Sequence, residues 1–166
     1  VVLGGEAGIG KTTLARDLAA WAERNEVLVL SGHAYDLTHT PPYGLWVSLA
    51  AGYRPASAMP ALPRALATGR VEEIANQAAL FSETRAFISA LAAASPVLLI
   101  LEDCHWADPA SLELLRFLGP SAAAQRLLVM LTYRSDELTR RQPFYQQLPS
   151  LLRDTGGHRI ELRRLD

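Results

Sequence analysis

Lysine is almost absent from this chain: among its sixteen Lys and Arg residues, only Lys11 is a lysine. Cysteine is equally scarce, with Cys104 alone, which excludes an internal disulfide and suits a reducing compartment. Excess charge is lacking too. Sixteen basic against seventeen acidic residues leave a formal net charge of -1, so no basic face for nucleic acid is implied. No apolar run approaches the roughly 20 residues needed to cross a bilayer, and no positive segment precedes a cleavable apolar one. These absences predict a cytoplasmic chain with no membrane contact and no direct nucleic-acid contact. The chain also lacks an initiating methionine and opens inside an apolar run, so it reads as a piece of a longer protein.

What is present describes a single globular domain. The 166 residues are 49% hydrophobic and 20% charged, enough to bury a substantial core. Val1 to Leu3 form a short apolar run stopped by Gly4-Gly5, as a buried strand would be. From Lys11 the spacing turns helical, with Leu14, Leu18 and Trp21 on one face. Glu26 to Leu30 predicts a second strand. Prolines 41, 42, 55, 60 and 63 break Leu37 to Arg70 into short helices and loops. Phe81, Ile88, Leu91 and Ala92 predict an amphipathic helix ended by Ser95-Pro96. Val97 to Leu101 is apolar throughout, as in a strand covered on both faces of a parallel sheet. Asp108 can cap the next helix, Pro109 suits its first turn, and Gly119-Pro120 are expected to end it. Leu127 to Leu131 reads as a further buried strand and Arg159 to Leu162 as an edge strand. Pro143 and Pro149 are expected to divide the helical segment between them. Strands alternating with helices predict an α/β layered fold.

The lone lysine sits in "GGEAGIGKTT". Gly5-Glu6-Ala7-Gly8-Ile9-Gly10-Lys11-Thr12 matches G-x-x-x-x-G-K-[ST]. A polyphosphate needs inward-pointing backbone N–H donors, and the turn that arranges them needs glycines with free φ. The following helix N-terminus adds its positive dipole end. Lys11 supplies a compact ammonium for the β- and γ-phosphates, and Thr12 a hydroxyl for Mg²⁺. Arginine's wide planar fork does not fit a loop wrapped around phosphates, which explains a lone lysine in an arginine-only chain. Gly5, Glu6, Ala7, Gly8, Ile9, Gly10, Lys11, Thr12 and Thr13 are the expected ATP-binding residues.

Glu102 and Asp103 leave the end of the apolar strand, where open α/β sheets bind ligands. Such an acid can stand beside Mg²⁺, and a neighbouring one can orient an attacking water. Glu102 and Asp103, with Thr12, are therefore the expected Mg²⁺ residues. Successive strand side chains point to opposite sides, so one acid takes the metal side and the other the catalytic slot. By position these are Glu102 and Asp103 respectively, although the shorter Asp103 could reach the metal's water shell instead. Cys104, His105 and Asp108 lack the partners for a nucleophilic triad or metal site. Cys104 is expected to be a buried small residue and His105 to sit on the γ-phosphate side. His33, His39 and His158 are read as structural or surface residues.

"GGEAGIGKTTLARDLA", "LILEDCHWADPASLELLRFL" and "VMLTYRSDEL" together resemble the STAND-class ATPase domain within the AAA-related P-loop NTPases, as found in large LuxR-type bacterial transcriptional regulators. The resemblance implies a three-layer P-loop NTPase sandwich with a five-stranded parallel sheet. The strand Leu127 to Leu131 would lie between the Walker A and Walker B strands. It also implies that Thr132 and Arg134 match the sensor contacting the γ-phosphate, so Arg134 joins Glu102 and Asp103 as a candidate catalytic residue. Arg140 and Arg141 are read as a solvated pair. The Gly-Arg segment that precedes the Walker A strand in the family is absent, as are the helical lid and winged-helix regions. Residues 1–166 therefore read as one truncated P-loop core.

The function so implied is a nucleotide switch: slow Mg²⁺-dependent ATP hydrolysis reported to neighbouring domains of the same chain, with possible nucleotide-dependent self-association. Two other readings stand beside it. One is the ATPase module of a multidomain nucleotide cyclase or signalling kinase, or a turnover enzyme with an acceptor pocket in Thr40 to Arg70. The other is a scaffold that holds nucleotide without hydrolysis.

Overall fold

A computed structural model describes residues 1–36, 41–55, 59–71, 76–122 and 124–164. Five parallel strands form its sheet: β1 (Val2–Gly5), β2 (Leu28–His33), β3 (Val97–Glu102), β4 (Leu127–Arg134) and β5 (Arg159–Glu161), in the order β2-β3-β4-β1-β5. This is the expected α/β P-loop arrangement, with β4 inserted between β1 and β3. β3 is buried at every position, because a central parallel strand is covered on both faces. β5 is exposed throughout, as an edge strand can be.

Alternation along the strands divides the core into two layers. Leu3, Leu98, Ile100 and Met130 face α1 (Lys11–Arg24), which meets them with Ala15, Ala22 and the partly buried Leu18. Val2, Leu30, Leu99, Leu101, Leu131 and Tyr133 face the opposite layer. That layer contains α2 (Gly44–Gly52), α3 (Arg64–Thr68), α4 (Gln77–Ala94), α5 (Pro109–Ala122) and α6 (Pro143–Thr155).

Several expectations shift. The buried stripe of α1 runs through Lys11, Ala15 and Ala22, whereas Leu14 and Trp21 are exposed. Small residues let the helix approach the sheet closely, so the larger side chains turn outward. Gly119-Pro120 does not end α5, which continues to Ala122, and Pro149 does not divide α6. Both prolines lie on exposed faces, where water can meet the carbonyls they leave unbonded. Pro143 occupies the first turn of α6, where its missing N–H costs nothing. Gly119 instead serves packing, since a Cβ there would fall 2.5 Å from Thr155 Cγ2 on α6. His39 lies outside the described residues, as do Leu37 to Thr40 at the start of the proline-rich middle.

Candidate nucleotide site

The C-terminal ends of β1, β3 and β4 converge on the head of α1. Between β1 and α1 the chain turns through Gly8 (φ 73°) and Gly10 (φ 105°), backbone conformations that strain any residue with a Cβ. A Cβ at either glycine would meet nothing within 4 Å, so the loop borders open space. Among the described residues no side chain caps the start of α1, and its first turn carries no acid. Thr12 and Thr13 are exposed there.

Lys11 is buried, and its hydrogen-bond partners are neutral. Its Nζ donates to the Gly5 and Glu6 carbonyls, both at 2.7 Å. Burial pulls its pKa below the ordinary lysine value, while the fields of Asp103 and Asp136 act in the opposite direction. The Gly5 carbonyl also accepts from Ser135 N–H at 3.1 Å, tying the loop to the end of β4. Elsewhere in the loop, the Glu6 carboxylate meets Arg164 at 3.1 Å, the Ile9 side chain lies under Gly5, and Ala7 N–H donates to Asp136 at 3.2 Å.

The two acids diverge. Glu102, nearly buried on the α1 side of β3, lies 3.6 Å from His33 Nδ1, its register partner on β2. Asp103 has a left-handed backbone (φ 54°), its N–H donates to Thr132 Oγ1 at 3.1 Å, and its carboxylate lies 3.8 Å from Arg134 Nε. Arg134 Nη1 donates to Glu137 at 2.5 Å, and the guanidinium lies over the Trp106 ring, 4.9 Å from its centroid.

The structure brings Lys11, Asp103 and Arg134 into one electrostatic neighbourhood. Glu102 is turned toward β2. His33, expected to be a structural or surface residue, is half-exposed and meets Glu102 across adjacent strands, a pairing that linear spacing does not reveal. Cys104 is fully buried, as expected, donates to the Leu101 carbonyl, and has its thiol pKa pushed up by burial. Asp108 caps α5 by accepting from Ser111 N–H at 2.8 Å. It also accepts from Tyr43 and Gly44 N–H at 3.0 and 3.1 Å, joining α2 to α5. Arg140, Arg141 and His158 are exposed. The proline-rich middle, proposed to house an acceptor, helps line a hollow of about 540 Å³ with His33 and Asp108 in its wall. Asp136 and Glu137 escaped the sequence reading. Their signal was a pair of acids one residue beyond the strand that ends in Arg134.

The description "AAA ATPase domain" matches residues 1–130, from β1 through the phosphate loop and both acids into β4. The chain belongs to the AAA ATPase domain family. Among solved structures, this AAA ATPase domain is similar to AMPPCP-bound DnaA from Aquifex aeolicus, with 13% identity and a TM-score of 0.49. The likeness covers 98% of this chain and 39% of that one, so the domain spans well under half of that protein. No curated protein matches the chain significantly. No helix among the described residues of the AAA ATPase domain is long and apolar enough to cross a membrane.

Proposed function

We propose that this AAA ATPase domain binds ATP with Mg²⁺ in the loop Gly5–Thr13 and hydrolyses it slowly in the cytoplasm. In this reading it acts as a nucleotide switch for neighbouring domains of a larger LuxR-type transcriptional regulator of the STAND class. The observation that carries the reading is Lys11: a buried ammonium resting on two neutral carbonyls at the open side of a glycine loop. A cation whose hydrogen bonds go to neutral carbonyls, beside a helix start that no side chain caps, favours a polyanion. Arg134, already close enough to feel Lys11, reports whether a γ-phosphate is present.

The donor set suits Mg²⁺. Thr12 offers an exposed hydroxyl, and Glu102 and Asp103 offer carboxylates at the end of β3. Among the described residues no three His, Cys, Asp or Glu side chains gather into a metal site, and Mg²⁺ needs none. It takes one or two carboxylates plus phosphate oxygens and keeps several waters. Bound there, the ion would neutralise charge on the β- and γ-phosphates. Nucleotide-dependent self-association is part of the same proposal, since a switch needs a surface that changes with its ligand.

Thermal unfolding with and without Mg·ATP tests the reading. At a hundredfold excess over Kd, ligand adds about 2.7 kcal/mol of stability, so the parent melts several degrees higher. Lys11→Ala should lose most of that shift while its ligand-free midpoint stays near the parent's. Equal shifts in both proteins would overturn the proposal.

A further inference from the structure

Arg134 closes a ring of hydrogen bonds through two residues that the ATP-binding loop and acid pair do not include. Its backbone N–H donates to His105 Nδ1 at 3.4 Å. A ring nitrogen that accepts carries no proton, so the proton of a neutral imidazole sits on Nε2. Nε2, at 3.3 Å from Glu137 Oε2, therefore donates to that carboxylate. Glu137 Oε1 accepts from Arg134 Nη1 at 2.5 Å, which returns the ring to its start.

Isolated surface ion pairs contribute little, because two long side chains must be ordered to form them. This pair differs in its foundations. The His105 side chain is fully buried and stacks beside Trp106 with centroids 4.5 Å apart. The guanidinium lies over the same indole, with Asp103 at 3.8 Å on its Nε edge. Glu137 thus has one oxygen anchored to a fixed ring and the other on Arg134. The guanidinium is held by hydrogen bond, cation–π contact and Coulomb attraction from three sides.

We infer that Glu137 and His105 are positioning residues that hold the Arg134 guanidinium toward the phosphate loop and thereby set the preference for a triphosphate over a diphosphate. The inference rests on the reading of Arg134 as the γ-phosphate contact. A flexible arginine loses side-chain freedom when it grips phosphate, and one already ordered loses less. Removing the anchor therefore weakens binding of the nucleotide that has a γ-phosphate and leaves the other untouched.

The test is a set of equilibrium titrations with a non-hydrolysable ATP analogue and with ADP, each with Mg²⁺. The proteins are the parent, Glu137→Gln, Arg134→Ala and the double variant. Glu137→Gln should weaken the ATP analogue roughly tenfold with ADP affinity unchanged, and should add nothing in the Arg134→Ala background. Glu137→Asp, which keeps the charge but cannot span His105 and Arg134, should behave like Glu137→Gln. In the parent the ATP analogue should change tryptophan fluorescence, through Trp106 beside Arg134, more than ADP does, a difference lost in Arg134→Ala. The inference is overturned if Glu137→Gln binds both nucleotides like the parent, weakens both equally, adds its effect to that of Arg134→Ala, or tightens the ATP analogue. That last result would make Glu137 a competitor of phosphate. ADP binding that Lys11→Ala abolishes keeps the underlying reading intact whichever way Glu137 behaves. A parent that binds neither nucleotide defeats both.

Discussion

His33 Nδ1 lies 3.6 Å from Glu102 Oε1, joined across adjacent strands at paired register positions. That contact draws Glu102 toward β2, while its neighbour Asp103 faces Arg134 and lies within the field of Lys11. The two acids should therefore fail differently. Asp103→Asn should lower ATP turnover by about 10²–10⁴, the usual worth of a positioned base. Glu102→Gln should instead reduce the gain in affinity that Mg²⁺ gives. Turnover assays together with nucleotide titrations, with and without Mg²⁺, separate the two. An Asp103→Asn protein that hydrolyses ATP at the parent rate would refute this division.

Asp108 predicts a stability effect with no role in nucleotide chemistry. It is buried and accepts from Tyr43 N–H, Gly44 N–H, Ser111 N–H and the Ser111 hydroxyl. Asp108→Ala leaves these donors without an acceptor, at a cost of about 2–4 kcal/mol. Urea unfolding should show a lower midpoint with an unchanged slope.

Gly32, on β2, answers to packing. A Cβ there would fall 2.6 Å from the Leu45 carbonyl oxygen and 3.1 Å from Leu49 Cβ on α2. Backbone atoms cannot swing aside, so Gly32→Ala should destabilise by about 1–3 kcal/mol. The same unfolding measurement checks it, and a cost below a few tenths would show that α2 can slide.

His105 predicts a pH dependence. Burial pushes its pKa below the ordinary 6.5, against the opposing pull of Asp103 and Glu137. Between the lowered native value and 6.5 the unfolded chain binds the proton more readily, so stability rises with pH across that window. The contribution is complete above about pH 6.5 and is lost as pH falls toward the native value. Melting temperatures taken from about pH 7 to about pH 5 should therefore decline more steeply in the parent than in His105→Gln.

Much of this was legible in linear order, because the signals were local. An all-apolar Val97 to Leu101 becomes the strand buried on both faces, and the glycines, Lys11 and Thr12 appear where the motif puts them. Asp108 caps its helix as its neighbours suggested. The rest depended on neighbours distant in sequence. Leu14 and Trp21 form an apolar row, yet α1 buries its alanines because the helix sits close to the sheet. Pro120 and Pro149 looked like breaks, and only their exposure makes them tolerable inside helices. Glu102 was visible; its partner His33 lies far away along the chain, on another strand, and meets it only through strand pairing.

Residue order alone determined a glycine-rich loop between a strand and a helix, an acid pair at a strand end and an alternation of strands and helices. Each depends on backbone preference and spacing within a few residues. The tertiary structure alone decided which acid faces the lysine, which side chains surround Arg134, and how His105 and Glu137 join around it. Those outcomes follow from parallel strands placing their C-terminal ends side by side, which makes neighbours of residues that the chain itself keeps far apart.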